Sequence, residues 1–428
     1  MKKKYRLTNS EMAVLYEFDE SGNIAFTDKN IVWGHLKINQ EIDFNRLKEA
    51  LNYSLKKNDG IRIKLYKEND KILQYFEDYE EQDIEIVDVE TEEEVQKLKN
   101  KIINKPFEIF DSFLFNIVLY RYENEYGGII IKLNHVIGDG YTLGLLLYEV
   151  LGYYSKAIKR IPSVSYLDYI KSEEKYQFTI KYKRDKKYWN KMFENGVPDS
   201  AYIPSKKKNY SFTKTNELVF DIDNDIVKIV KNFCNRNKIS DSTFYMSVFS
   251  IYIHKITNLT RFFLSVANRN RRSVKEMLMA GMRTKTAYLI AEVKNEKFLD
   301  YAKKIRLSLK SSYKHMDYIY NYEDELFKQY NDNRPIPSKV FLSYQNIQVD
   351  TNKININFEI DGDNNPGTYG TDLVPIHVFE YNNNVKIIYD YLSEKYSEKE
   401  IAAINNSIIN IIKQISKDDN IYIDDIKI

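Results

Sequence analysis

The chain has 428 residues, 43% of them apolar, which is more than one hydrophobic core organises and enough to build two. Its 64 Lys+Arg against 62 Asp+Glu leave a formal charge of +2, arguing against a nucleic acid or membrane surface recognised by bulk charge. A single cysteine, Cys234, excludes an internal disulfide and a multi-cysteine metal site and fits a reducing compartment.

The opening MKKKYRLTNSEM is basic with no apolar run behind it, so it does not read as a secretory signal. The apolar stretch near residue 145 is too short to span a bilayer and carries Glu149. The expectation is a soluble cytoplasmic protein. Ala25 to Ile38 reads as strand, and Asp43 opens a helix with Leu47, Ala50, Leu51 and Leu55 on one face. Asp59-Gly60 ends it, and Ile61, Ile63 and Leu65 alternate in the next strand. Arg62 points the other way and is expected in a surface or inter-lobe ion pair. The acidic run Glu77 to Glu94 reads as a solvated face, and Val95, Leu98 and Ile102 as a short helix. Phe115, Ile117 and Leu119 then alternate in a strand leading to a tight turn near Gly127-Gly128.

Ile129 to Leu151, IIIKLNHVIGDGYTLGLLLYEVL, carries the strongest chemical signal. Ile129, Ile131 and Leu133 alternate as in a half-buried strand that stops at His135. Asp139-Gly140 makes a turn, and Leu143, Leu146, Leu147 and Val150 recur at helical spacing behind it. An imidazole with an ordinary pKa of ~6.5 can take a proton near neutrality and return it, so His135 is the candidate general base. Asp139, past Gly138, is placed to point back into the protein and pair with an arginine, fixing the loop that aims the imidazole. Gly140 gives a backbone that tolerates close approach.

The elbow N-H-V-I-G-D-G-Y-T resembles the H-H-x-x-x-D-G-x-S signature of the condensation domains of nonribosomal peptide synthetases. More loosely, it is similar to the H-x-x-x-D of the chloramphenicol-acetyltransferase-like, CoA-dependent acyltransferases. Other stretches carry the same resemblance in the same order. LKKNDGIRIKLY looks like the family's R-H-E-x-L-R step, with Asn58 in place of its histidine, and KPFEIFDSFLFNIVLYR looks like the P-F-D-L lead-in to the histidine strand. Tyr166, Asp168, Tyr169, Tyr188 and Trp189 match a Y-x-D-Y…Y-W segment bridging two lobes, and aromatics at that spacing are assigned to packing rather than to the site.

Beyond Tyr202 the pattern gives strand Leu218 to Ile222, a helix with Ile226, Ile229, Val230 and Phe233, helix Thr243 to Ile256 and strand Arg261 to Val266. Asn268-Arg269 then stands for the family's Gly-Arg, and Gly281…Thr286 for its G-x-F-x-N-T. Arg269 is the expected partner of Asp139, since it follows a buried strand where an arginine needs a carboxylate. Val340 to Ile347 resembles the family's F-N-Y-Q strand beside the active-site channel, so Tyr344, Gln345 and Asn346 are candidate substrate contacts, with alternation turning part of them away. Asp361 to Thr371 reads as a polar loop able to hinge or cover the site. Asp372-Leu373 resembles part of the family's ending, and Ser397-x-x-Glu400 caps a terminal helix with Ile401, Ile404, Ile408, Ile411 and Ile415 in one stripe. No repeat, linker or carrier-protein segment is expected after it.

The resemblance implies an α/β fold of two chloramphenicol-acetyltransferase-like lobes in a V, divided into residues 1–175 and 176–428. Each would be a mixed sheet packed with helices, with His135 in a tunnel at the junction. It implies a free-standing acyltransferase joining an acyl or aminoacyl thioester to an amine or hydroxyl nucleophile. The thioester would be the phosphopantetheine arm of a carrier protein acting in trans, or CoA, with no bound cofactor or metal. A CoA-dependent alcohol or lipid O-acyltransferase, and a non-catalytic domain that docks carrier proteins, are the alternatives; retention of His135, Asp139 and Gly140 counts against the last. Asn134 replaces the family's first histidine and Thr142 its usual serine. Asn134 is able to hydrogen-bond the loop or an oxyanion, and with Tyr141 and Thr142 it joins the candidate substrate contacts.

Overall fold

The computed structural model describes residues 2–428 except 19–23, 27–29, 70, 124–125, 159–161, 208–214, 331–337, 347–355, 365–372 and 382–383. Strand Gly127–Asn134 is the middle of a five-stranded sheet ordered Phe358–Asn364, Ile31–Ile38, Gly127–Asn134, Phe115–Arg121 and Glu85–Asp88. All pairs are antiparallel except the last. The strand is buried on both faces rather than half-buried. Ile129, Ile131 and Leu133 meet helices Phe44–Lys57 and Gly140–Tyr154, while Ile130 packs with Val118 and Tyr120 against helix Glu92–Asn104. Lys132 occupies the second face without exposing a charge to the core, because its ammonium donates to the Ile102 and Lys105 carbonyls at the end of that helix. Gly127 and Gly128 belong to the strand, not to a turn. A Cβ on either would strike a carbonyl oxygen of the neighbouring strands at 2.0 Å, so only glycine permits this pairing.

Two expectations for this half are corrected. Glu85–Asp88, inside the acidic run, is the parallel edge strand of the sheet. Arg62 makes no ion pair among the described residues; its guanidinium donates to the Leu55, Lys56 and Asn58 carbonyls and to that of Glu77. It thus satisfies the C-terminal carbonyls of helix Phe44–Lys57, a demand that hydrophobic periodicity does not reveal.

The second sheet has the order Asp199–Ser200, Arg261–Asn268, Val340–Asn346, Val374–Tyr381, Asn384–Leu392 and Thr215–Ile222, with Lys285–Glu292 also pairing Arg261–Asn268. Helices Asn224–Asn237, Asp241–Thr257 and Glu398–Lys417 cover one face and bury the Ile401 to Ile415 stripe, and the Ser397–Glu400 capping box is formed. The 33-residue helix Phe298–Tyr330 packs on Lys285–Glu292 and on helix Ile180–Phe193. There Trp189 donates to the His315 carbonyl at 2.8 Å and Tyr188 stacks on the His315 ring.

A division at residues 175 and 176 does not hold for Phe358–Asn364, which leaves the second half to pair with Ile31–Ile38 at the edge of the first sheet. Asp361 to Asn364 are therefore strand, and the rest of the anticipated loop, with Asp372, lies outside the described residues. The aromatic segment does join the halves: the Tyr166 hydroxyl donates to the Met282 carbonyl at 2.6 Å, and the Arg283 guanidinium lies 4.2 Å from the centre of the Tyr169 ring.

Helix Asn9–Leu15, which brings Ala13 and Val14 to the lobe junction, is tied down by a buried carboxylate. Glu11 accepts from the Thr8 N–H at 2.6 Å and from Gln74 at 2.7 Å, yet burial raises its pKa to about 7, overriding these bonds. A raised carboxyl pKa means that the folded state holds a proton the unfolded chain releases. This contribution is complete below the unfolded value of 4.5 and is lost as pH rises toward 7. Glu11→Gln keeps an acceptor for both donors without the buried charge. It should unfold at higher urea than the wild type at pH 8, by up to about 3 kcal/mol, with the difference shrinking toward pH 5. A variant less stable than wild type at pH 8 would contradict this.

Candidate active site

The elbow is held by its own backbone before any side chain is considered. Asn134 ends the strand, and its Oδ1 accepts from the Val136 N–H at 3.0 Å, capping the 3-10 turn His135–Ile137. The His135 N–H donates to the Asn30 carbonyl at 2.8 Å, and the Asn30 amide in turn donates to the Val14 carbonyl. Asp139 caps helix Gly140–Tyr154, accepting from the Thr142 N–H at 2.9 Å.

The Asp139 carboxylate is buried and reaches into the second half of the chain. It accepts from Arg271 Nη1 at 2.8 Å and Nη2 at 3.1 Å, from the Arg283 N–H at 3.1 Å, and from the Thr284 N–H and hydroxyl at 2.9 Å each. Burial by itself would raise its pKa; the Arg271 charge and the hydrogen bonds overcome that and hold it well below the usual carboxylate range. The expected partner Arg269 is corrected to Arg271. Asn270 adopts φ 48°, a left-handed turn that sends the following arginine inward, while Arg269 stays exposed with its guanidinium 5.7 Å from the Tyr141 ring.

Thr142 is also buried. Its hydroxyl lies within hydrogen-bonding distance of Asp139, of Arg271 Nη2 and of the Gly281 carbonyl and N–H, so it fastens the elbow to the Gly281 loop and does not border the cavity. Gly281 sits at φ 142° with the Tyr166 ring 2.2 Å from where a Cβ would be, which fixes glycine there.

A cavity of about 650 Å³ lies at the junction of the lobes. The first half contributes Ala13, Val14, Ile31, His135, Gly140 and Tyr141, and the second contributes Arg269, Thr284, Phe341, Ser343 and Gln345 among others. Burial lowers the His135 pKa below its ordinary 6.5, and the Asp139 charge only partly opposes this, so the ring is neutral at pH 7. Its Nδ1 is buried with no hydrogen-bond partner among the described residues.

Of the predicted residues, His135, Asp139, Gly140, Arg269, Tyr141, Tyr344, Gln345 and Asn346 all border this cavity. The Tyr141 hydroxyl donates to the Met277 carbonyl at 3.1 Å, and the Tyr344 hydroxyl bonds the Glu380 carboxylate, which leaves Gln345 and Asn346 as the more available amides. Asn134 does not border it, a correction for a residue expected to contact substrate: strand alternation sends its side chain away from His135. Sequence reasoning missed Arg271, Thr284, Ser343 and His377. The Asn-Arg-Asn-Arg-Arg run was the only local signal for the first, and the others need the strand register. Among the described residues no three His, Cys, Asp or Glu side chains converge as ligands of a metal would.

Comparison with known proteins gives the lineage. The sequence profile of the Condensation domain matches residues 30–428. The chain belongs to the condensation-domain family. Surfactin synthase subunit 1 of Bacillus subtilis is 24% identical to it over 89% of its length, and bacitracin synthase 3 of Bacillus licheniformis is 19% identical over 97%. The chain spans only 11% and 6% of those two proteins. Among solved structures, the condensation domain of monacolin K polyketide synthase MokA superposes with a TM-score of 0.82 at 15% identity, covering 98% of this chain and 99% of that one. The starter condensation domain of rhizomide synthetase RzmA, in a mutant form, gives 0.80 at 15% identity, covering 99% and 97%. The fold of this condensation domain is therefore the two-lobed chloramphenicol-acetyltransferase-like one.

The two arginines separate experimentally. Arg271→Ala strands a buried carboxylate and should cost about 3–5 kcal/mol in urea unfolding, while Arg269→Ala should stay within about 0.5 kcal/mol. The losses from Asp139→Asn and Arg271→Ala should combine to less than their sum. Equal losses at the two arginines would mean that Arg271 does not carry the pair.

Proposed function

We propose that this condensation domain is an acyltransferase that joins an acyl or aminoacyl thioester, carried by a carrier protein or CoA, to an amine or hydroxyl nucleophile. The observation that carries this reading is the His135 imidazole, which burial biases toward its neutral form, at the wall of a cavity to which both lobes contribute. A thioester is already activated, so the protein has to align it with the nucleophile and remove one proton. His135 accepts that proton as the new bond forms. The solved RzmA starter domain is a complex with C8-CoA and Leu-SNAC, which supports a thioester donor for this cavity as well.

Asn134 serves the elbow in this reading. Its cap on the Val136 N–H fixes the turn that presents His135, and Asp139, saturated by its own partners, holds the turn from the other side.

His135→Ala should lower acyl transfer by ~10²–10⁴-fold with an unchanged thermal midpoint. Because burial depresses the imidazole pKa, the basic form persists into mild acid, and with a hydroxyl acceptor, which does not itself titrate there, the acid limb of kcat/KM should have its midpoint below pH 6.5. Wild-type turnover from His135→Ala, or an acid limb above 6.5, would contradict the assignment. Asn134→Ala should cost about 1 kcal/mol of stability through the lost cap, together with a moderate loss of kcat.

A further inference from the structure

The reading above uses one imidazole of the cavity, and the second lobe supplies another. Strands Val340–Asn346 and Val374–Tyr381 set Ser343 directly beside His377, and Asp390 lies two residues past Ile388, the partner of His377 on strand Asn384–Leu392. Alternation puts these three on one face of the sheet. Their neighbours Tyr344, Glu380 and Tyr389 take the other face, where Tyr344 bonds Glu380 and Tyr389 packs among the helices. Ser343 and His377 border the same cavity as His135.

Asp390 is 3% exposed, and its Oδ2 lies 3.4 Å from His377 Nε2. Among the described residues, no lysine or arginine forms an ion pair with this carboxylate. A carboxylate beside an imidazole favours the charged form of the ring, which makes His377, at the cavity wall, the candidate proton donor. His135 is built the opposite way. The carboxylate nearest His135 in sequence, Asp139, is saturated by Arg271, Thr284 and Thr142, and so is not available to hold a charged imidazole there. Two titratable groups in one site with contrasting surroundings mark an acid and a base.

Resting on the acyl-transfer reading, we propose that His377, held by Asp390, is the acid of the reaction and protonates the sulfur of the leaving thiol, while His135 takes the proton of the nucleophile. The nucleophile's lone pair forms the C–N or C–O bond as the carbonyl π pair moves onto oxygen, and its N–H or O–H proton passes to His135. The oxygen pair then returns, the C–S bond breaks with its electrons on sulfur, and the sulfur takes the proton of the His377 imidazolium. His135 is left protonated and His377 neutral, and exchange with solvent restores both.

Acid assistance matters in proportion to the basicity of the leaving group. The test is kcat/KM for transfer to benzylamine from two octanoyl thioesters, one of N-acetylcysteamine and one of thiophenol, with the enzyme-free reaction subtracted. His377→Ala should lose at least tenfold with the alkyl thioester and less than threefold with the aryl one, and Asp390→Asn should show the same pattern more weakly. His135→Ala should lose activity with both donors. A similar loss for both donors in the His377 and Asp390 variants, or none, with His135 dependence intact, overturns the inference and leaves the acyl-transfer reading standing. No His135-dependent transfer from either thioester overturns both. Circular-dichroism melts of the two variants separate misfolding from a chemical effect, and Asp390→Asn, close in shape, keeps the test decisive if His377→Ala fails to fold.

Discussion

The Asp139 carboxylate is the constraint on which the site depends. It closes the first turn of helix Gly140–Tyr154 and in the same position accepts hydrogen bonds from Arg271, Arg283 and Thr284. A buried charge of this kind is tolerated only because its lone pairs have donors, and beyond Thr142 those donors come from the other lobe. The elbow and the Gly281 loop therefore form one unit. Thr142 repeats the link through its hydroxyl, and Tyr166 repeats it through Met282.

From that unit follows the chemistry that the cavity supports. His135 is carried on a strand buried on both faces and on a turn capped by Asn134, so its position is set by packing and backbone rather than by a side-chain partner. Removed from water and left without a carboxylate of its own, the imidazole is neutral and basic. The remaining walls come from the second lobe. The pairing of Phe358–Asn364 with Ile31–Ile38 also carries the second half back onto the first sheet, a further tie between the lobes that share the cavity.

Much of this was legible in the sequence where the signal is local. The alternation of Ile129, Ile131 and Leu133, the His135 to Gly140 elbow, the Ser397 capping box and the terminal isoleucine stripe are short-range patterns, and the structure forms each of them. What was misread depends on partners far away in the chain. The strand at Ile129 looks half-buried until helix Glu92–Asn104 covers its second face and accepts the Lys132 protons, and Arg62 looks like an ion-pairing residue until the helix carbonyls claim it. Arg271 and not Arg269, two residues earlier, reaches Asp139 because the left-handed Asn270 turns the chain between them. Asp361 to Asn364, polar and next to glycine and proline, read as loop because an edge strand needs little hydrophobicity once a neighbour supplies the ladder. His377 had no local mark at all, since its alignment with Ser343 exists only in the register of two distant strands.

The central claim is that His135 stands neutral in a junction cavity, fixed by a scaffold and unassisted by Asp139. The chain has only five histidines, so the imidazole nitrogens are assignable by single substitution in a 15N-histidine sample, and an NMR pH titration reads the ring directly. The account predicts that the signal missing from His135→Gln titrates below pH 6.5 and remains neutral at pH 7. A His135 ring that titrates above 6.5 would be paired with a carboxylate, charged through much of the neutral range and unable to serve as the resting base, and that result would contradict the account.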